Sequence, residues 1–523
     1  MASSTQQSTS KKPSKKTRRV AGGRQARLAE RQAPLSQDIK PVHPGVIGGR
    51  YKPLSDADVE QIWQAAYELL ETVGMADAIP HCIDLVTKAG GTLTDDGRLM
   101  FPAKLLDWTL DVAAKEFTLH GFDSKYDLDI SDKRVHFSTA GAAVLYLDPK
   151  TRVYRETTLD DLYNMARLSH HMEHVHMFRR TMVPRELKTS RELDLNTAYA
   201  CLSGTTKHVS SSFFSPDHVD DVVEICDMIL GEKGAFAKRP FLSGANTVVV
   251  PPLRFAQDSC EGLVAQVRHN MPMDVLSAGQ AGATSPAPLA GALACGLAES
   301  LATLCFVNLM KPGHPAFLAV WPFVSDLRTG AMSGGSGEEA VLEAAAAQII
   351  NARGLPSSVA AGMTDSKMPD AQAGYEKGVT VALAAQAGAN LICESASMLA
   401  SLLGTCNEMM VIDNDMLGSV ARSVRGIEVT KETLSVEAIR ETVHGPAHFL
   451  GHPQTLARMQ SDYLYPQVAE RMNPSNWADL GSLDMTEKAS MEVERILALE
   501  KPNHIPVDVH QDICKRFPIY LKP

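Results

Sequence analysis

Between about residue 174 and residue 413 the chain alternates eight times between a short apolar run and a longer helical stretch. The runs are HVHMFRRTMV, KHVSSSFF, PFLSGANTVVV, PMDVLSAGQ, HPAFLAVWP, SSVAAGMTD, ANLICES and EMMVID. Between them lie helical segments such as SPDHVDDVVEICDMIL, APLAGALACGLAESLATLCFVNLM, GEEAVLEAAAAQIINARG and PDAQAGYEKGVTVALAAQAG. Parallel strands covered on both faces read as near-continuous apolar runs, and each pair needs a crossover long enough to hold a helix. Eight such units over about 260 residues match the count and size of a (β/α)8 TIM barrel, in the α/β class. An open, doubly wound sheet is the alternative arrangement of the same units.

The flanks read differently. LSDADVEQIWQAAYELLETVG carries Val59, Ile62, Trp63, Ala66, Leu69, Leu70 and Val73 at helical spacing behind a Ser55/Asp58 capping pattern. Short helices (HCIDLVTKAGG, AKLLDWTLDVAAKEF) and strands (KRVHFS, AAVLYLD, RVYRETT) follow. The predicted organisation is a basic tail over 1–50, an α+β N-terminal region over 51–170, the barrel over 171–435 and a C-terminal helical cap over 436–523. Up to Arg31 nine Lys and Arg face Glu30 alone, leaving 42 basic against 60 acidic residues in the remainder. An acidic body does not suit nucleic acid, and the polar tail, lacking an apolar core, is expected to be a solvated arm rather than a secretory signal. No uninterrupted apolar run approaches membrane-spanning length. Nine scattered cysteines form no CxxC pair and read as reduced, cytoplasmic thiols, with neither structural zinc nor disulfides expected.

In a barrel of this kind the chemistry sits in the loops after the strands. AAGMTDSKMPDAQAGYEK, from Ala360 to Lys377, is such a loop, expected after the sixth strand. SGGSGEE lacks the Lys-Ser/Thr of a phosphate-binding loop, and Glu338 and Glu339 would repel phosphate, so it reads as a flexible loop. His170 and His174 are one helical turn apart but lack the acidic partner of an HExxH site, so packing is the simpler reading. Lys367 is a candidate Schiff-base amine, although barrel lysines of that kind usually lie inside a strand. DVHQDIC begins like a cobalamin-binding signature, yet too little chain follows His510 to build a corrinoid domain. Phe213, Phe214, Trp321, Phe323 and Tyr375 fall at strand ends, with Tyr146 able to fold over from the N-terminal region. They are either core caps or an aromatic cage for a cation lacking N–H donors.

Several long blocks carry a resemblance. They are AYELLETVGM, AGGTLTDDGRLMFPAKLLDWTL, DLRTGAMSGGSGEEAVLEAAAAQI, GLPSSVAAGMTDSKMPDAQAGYEK, MMVIDND and FLGHPQTLARMQSDYLYPQ. Through them the chain resembles the trimethylamine methyltransferase family over roughly residues 55 to 495. The resemblance implies a (β/α)8 barrel that moves a methyl group from an amine to Co(I) of a corrinoid (cobalamin) supplied by a separate partner protein, with none bound by this chain alone. Archaeal trimethylamine enzymes carry pyrrolysine in the loop similar to AAGMTDSK, at or beside Met363, where this chain has an ordinary residue. It therefore resembles the non-pyrrolysine branch, whose members act on glycine betaine and related betaines. A quaternary ammonium departs as a neutral amine without prior activation, which suits that branch. Trimethylamine and sulfonium donors such as dimethylsulfoniopropionate remain alternatives, as does a lyase using Lys367. The expected cage is Trp321, Phe323, Phe213 and Phe214, with Lys207 or His208 anchoring a betaine carboxylate. Met363, Thr364, Asp365, Ser366, Lys367 and Gln372 would line the loop facing substrate or corrin. The expected partners are the cognate corrinoid protein and a small quaternary amine, with no metal, nucleic acid or membrane, in a homo-oligomer.

Overall fold

The computed structural model describes residues 40–445 and 447–522, so most of the basic tail lies outside the described residues. Glu437–Tyr463 groups apart from a large unit of Val42–Val436 and Leu464–Pro523. The region expected to form one C-terminal cap is thus divided. The helix Met485–Leu497, started by a capping box between Asp484 and Glu487, belongs to the large unit.

Eight strands define the large unit. They are β1 (Arg134–Phe137), β2 (Phe178–Arg179), β3 (Val209–Ser211), β4 (Leu242–Gly244), β5 (Met273–Ser277), β6 (Ala316–Val320), β7 (Ser357–Val359) and β8 (Leu391–Ile392). Each is followed by a helix: α1 (Leu159–His171), α2 (Ser190–Gly204), α3 (Pro216–Leu230), α4 (Gln257–Arg268), α5 (Leu289–Met310), α6 (Gly337–Asn351), α7 (Ala371–Ala387) and α8 (Asn407–Arg425). The strands pair in parallel as β1-β8-β7-β6-β5-β4-β3-β2, and Val46–Ile47 adds antiparallel to β1, giving one curled nine-stranded sheet. Beyond the ladder, Ser138 bridges Met177 in parallel, and the His176 N–H donates to the Phe137 carbonyl at 2.9 Å.

Two sequence expectations change here. EMMVID is not a strand but the first turns of α8, where Met409, Met410, Val411 and Asp413 are buried. A six-residue apolar run cannot separate a strand from a buried helix by periodicity alone. The eighth strand is instead RVHF, from the stretch assigned to the N-terminal region. In chain order the loop after Val359 therefore follows the seventh strand. Helix α5 is the second change, because its 22 residues are long and apolar enough to cross a membrane. It is buried on nearly every side, as expected for a core helix that is apolar all round.

Strand alternation divides the core in two. Val135, Phe137, Phe178, Val209, Val275, Leu318, Val320, Val359 and Ile392 join the large cluster shared with the helices. Met177, Leu276, Phe317, Ala319, Leu391 and Cys393 form a separate inner cluster, joined at the C-terminal ends of the strands by Trp321, Phe323 and Met363. Successive side chains on a strand face opposite sides, so one curled sheet makes both cores. The N-terminal helix Asp56–Thr72 keeps its predicted Ser55/Asp58 capping box and packs on α5.

Candidate active site

Three loops meet at the C-terminal ends of β6, β7 and β8. The loop after β7 is pressed between the other two. Gly362 has φ +112, and a Cβ there would lie 2.6 Å from Ser395 Cα and 2.8 Å from Glu394 O. Gly335 has φ +93, and its Cβ would lie 2.8 Å from Met363 O. Glycine is required at both because the conformation is left-handed and another backbone is in contact. The SGGSG segment, expected to be a flexible loop, is in fact pinned. Gly334 N–H donates to Asp365 at 2.7 Å and Gly335 N–H to Glu339 at 2.7 Å.

The active-site loop is held by its own side chains. Thr364 Oγ1 donates to Glu376 at 2.5 Å, and the Asp365 N–H reaches the same oxygen at 2.9 Å. Asp365 also accepts from Ser333 Oγ at 2.9 Å and Ser401 Oγ at 2.5 Å. Ser366 Oγ donates to Asp370 at 2.8 Å, which caps α7, and Gln372 Nε2 donates to Glu376 at 2.9 Å. Lys367 is exposed and its ammonium donates back to the Asp365 carbonyl at 2.6 Å. Met363 is fully buried.

The expected aromatic set is split. Trp321 and Phe323 share the inner cluster with Met363. Trp321 Nε1 donates to Ser358 Oγ at 3.3 Å, and the Arg179 guanidinium carbon lies 5.6 Å from the indole centroid. Phe213 is buried in the large cluster behind the sheet. Phe214 and Tyr375 are mostly exposed on the rim. Tyr146 stands in a hairpin over the rim, with Arg155 4.6 Å above its ring.

Lys207 and His208 lie just before β3, at the opposite end of the sheet from Trp321. The Lys207 ammonium donates to the carbonyls of Ser169, Met172 and Val175 at 2.6, 2.7 and 2.5 Å, leaving no N–H for a ligand. His208 Nδ1 sits 2.7 Å from the His120 carbonyl, and burial pushes its pKa down to about 4. Neither residue fits the anchoring role the sequence suggested. His510, the histidine of the cobalamin-like segment, is helical and lies 2.7 Å from the Tyr199 hydroxyl.

The site contains charged groups that sequence reasoning missed. Arg179, inside the sheet, has Nη2 2.5 Å from Asp274, while its Nε and Nη1 have no partner. Lys377 donates to the Gly362 carbonyl at 2.5 Å and lies 3.3 Å from Asp413, tying α7, α8 and the loop together. Burial raises Asp413 to about 6, with Lys377 opposing. Three buried glutamates complete the set. Glu343 accepts the Ala360 N–H at 2.9 Å, and burial holds its pKa far above the usual range. Burial lifts Glu339 to about 8 and Glu394 to about 7. The available signal was a pair of acids four residues apart on an otherwise Ala-rich apolar helix, which puts both on one buried face.

A β/α-repeat protein with buried ionisable groups and pinned loops at the C-terminal strand ends has the architecture of an enzyme. The chain belongs to the trimethylamine methyltransferase (MTTB) family, which it matches over residues 20–517, and it is a methyltransferase. A trimethylamine methyltransferase of Desulfitobacterium hafniense is 29% identical over 86% of this chain and 90% of its own. One from Methanosarcina mazei is 30% identical over 88% and 92%. A glycine betaine methyltransferase of Desulfitobacterium hafniense is 26% identical over 90% and 97%. Among solved structures, a dihydropteroate synthase of Coxiella burnetii with pteroic acid aligns at a TM-score of 0.37 and 11% identity over 60% of this chain and 100% of that one, too slight a likeness to bear on chemistry.

Proposed function

We propose that this chain takes a methyl group from a quaternary ammonium, glycine betaine or a related betaine, and delivers it to Co(I) of a corrinoid carried by a separate protein. The observation that carries this reading is Met363. It stands where the family resemblance expects pyrrolysine, and its buried thioether can neither protonate nor covalently activate a tertiary amine. A quaternary nitrogen needs neither service, because it leaves as a neutral amine. We also read the sheet as a closed (β/α)8 barrel, a reading supported by the Ser138–Met177 bridge between β1 and β2.

The corrinoid is a co-substrate here, and it supplies the nucleophile when the partner docks. The described residues suit a visiting acceptor. His510 is engaged with Tyr199, and Phe214, Leu327 and Leu403 are exposed in the loops after β3, β6 and β8, with Tyr375 exposed in the second turn of α7. The chain's own residues then bind, desolvate and aim the N–CH3 bond. Trp321, Phe323 and Met363 supply apolar walls, and the buried acids supply opposite charge. Asp365, Glu376 and Lys377 hold the loop that positions Met363.

A tertiary amine is the second reading, favoured by Glu339 and Glu394. A carboxyl that keeps its proton near neutrality can supply the N–H a tertiary amine needs before it can depart. The deciding experiment supplies the purified chain and a Co(I) corrinoid protein with glycine betaine, other betaines, trimethylamine and dimethylsulfoniopropionate. Methylation from a betaine and not from trimethylamine is expected; transfer from trimethylamine alone overturns the first reading.

A further inference from the structure

Charge does not balance at the C-terminal end of the sheet. Three buried acids lie within electrostatic reach of one another, Glu339 and Glu343 from α6 and Glu394 after β8, and two more, Asp274 near the start of β5 and Asp413 from α8, reach them through shared cations. Three cations face them. Arg179 is committed to Asp274 and Lys377 to Asp413. Arg180, which follows β2, lies within electrostatic reach of Glu394 and Asp194, and its guanidinium donates to Ser212 Oγ at 3.3 and 3.4 Å. Glu339, Glu343 and Glu394 are left without an ion-pair partner within 4 Å among the described residues. Cys393, Asp365 and Glu376 also face this group, and none of them adds positive charge.

The geometry of the three carboxyls points the same way. Glu339 and Glu343 each spend one oxygen on a backbone amide and keep Oε1 without a donor. Glu394 comes from a different element, is 2% exposed, and its carboxyl accepts no hydrogen bond among the described residues. Arg179 Nε and Nη1 are likewise buried and unpartnered beside Trp321. A buried carboxylate without a paired counter-charge is costly; Arg179, Lys377 and Arg180 favour the charged form of Glu394 from beyond ion-pair distance, yet burial outweighs them, so the empty site holds protons near neutrality. A ligand cation would take over that role.

We propose that Glu339, Glu343 and Glu394 form the receptor for the cationic nitrogen of the substrate, and that the bound cation displaces a proton from this group to solvent. The proposal rests on the amine-donor reading above and names the groups that meet its charge. The exchange balances: a carboxylic acid and an ammonium ion become a carboxylate–ammonium pair and one released proton. A quaternary nitrogen offers no N–H, so it needs only opposite charge and apolar walls, which Trp321 and Met363 provide. The site therefore differs from a purely aromatic cage, which would bind with no change in protonation.

Calorimetric titration of the full chain tests this without any corrinoid. Glycine betaine is compared with 3,3-dimethylbutyrate, its uncharged-carbon isostere, in two buffers of different ionisation enthalpy from pH 6 to 9. Betaine is expected to release a fraction of a proton, up to about one, and, on the acid side of the titration, to bind up to about tenfold more tightly for each unit the pH rises. The isostere should release none. Glu394→Gln should reduce both the release and the pH dependence; if that variant fails to fold, the two-buffer comparison on the wild-type chain still decides. Betaine binding that is pH-independent and proton-silent overturns the receptor and leaves the quaternary reading standing. Trimethylammonium bound with proton release, while no quaternary ammonium binds, keeps the receptor and overturns the quaternary reading. Binding of neither cation overturns both.

Discussion

The two ends of the parallel sheet bury ionisable groups in opposite ways. At the N-terminal ends Lys207 is saturated by three carbonyls, and His208 and His314 each face one carbonyl, at 2.7 and 2.9 Å. At the C-terminal ends Glu339 and Glu343 are half-satisfied and Glu394 accepts nothing among the described residues. Burial is the same at both ends, so burial does not mark the site. What differs is which groups keep unfilled capacity: His208 Nε2 and His314 Nδ1 are also unpartnered but belong to rings that burial keeps neutral, whereas at the C-terminal ends the unfilled atoms are carboxyl oxygens, which can meet a cation.

Lys377 is the sharpest challenge to that contrast, because it lies at the C-terminal end yet is saturated like Lys207. Lys377→Met should cost about 3–5 kcal/mol in chemical denaturation, since it strands Asp413 as an unpaired buried acid. A stable variant with altered ligand binding would instead put Lys377 among the binding groups. Lys207→Met removes the donor for three carbonyls and should cost about 3 kcal/mol or more, with affinity in the remaining folded protein unchanged. Lost affinity at full stability would restore Lys207 as an anchor and break the comparison.

Trp321→Ala should weaken a quaternary ligand by about 2 kcal/mol, roughly thirtyfold, if the indole face meets the cation in a dry site. Unchanged affinity with a lowered melting temperature would make Trp321 a core cap only. The two ends should also separate by pH. Glu339 and Glu394 have folded values of about 8 and 7 against an ordinary 4.5, so their stabilising contribution is complete below pH 4.5 and is lost as pH rises through 7 to 8. His208 and His314 are pushed down to about 4 from 6.5, so their contribution is complete above pH 6.5 and is lost as pH falls toward 4. Ligand-free stability should peak between these limits. Glu339→Gln should flatten the alkaline side, where one fully linked group gives a slope of about 1.4 kcal/mol per pH unit. An unchanged alkaline slope would show that Glu339 is ionised in the folded chain. Met363→Leu should change least, by less than about 1.5 kcal/mol in stability and with methyl transfer retained, because it conserves volume and the thioether has no proton to give. Activity reduced to that of an enzyme-free control would assign Met363 a direct role.

Seven of the eight strands and all four quoted crossover helices were legible, because a strand buried on both faces and a capped helix each announce themselves within about ten residues. RVHF was legible as a strand but not as part of the central sheet. The acids were legible only as the four-residue spacing of Glu339 and Glu343 on an Ala-rich helix, which does not by itself say that this pair is the buried one. Glu338 and Glu339 are neighbours in sequence, yet one is exposed and the other fully buried, since adjacent helical positions are about 100° apart. Only the packed position of α6 against the loop after β7 decides which of them faces inward.

By itself the sequence determined the strand–helix rhythm, the capped N-terminal helix and a loop rich in small and polar residues at a strand end. Those properties arise from propensity and periodicity, which act locally. The tertiary structure alone decided that β1 pairs with β8, that Arg179 meets Asp274 across 95 positions, and that Lys207 is spent on α1 and the turn after it. It also decided that Glu394 reaches the strand ends without a partner. Pairing and desolvation depend on which distant segments become neighbours, and no local pattern encodes that.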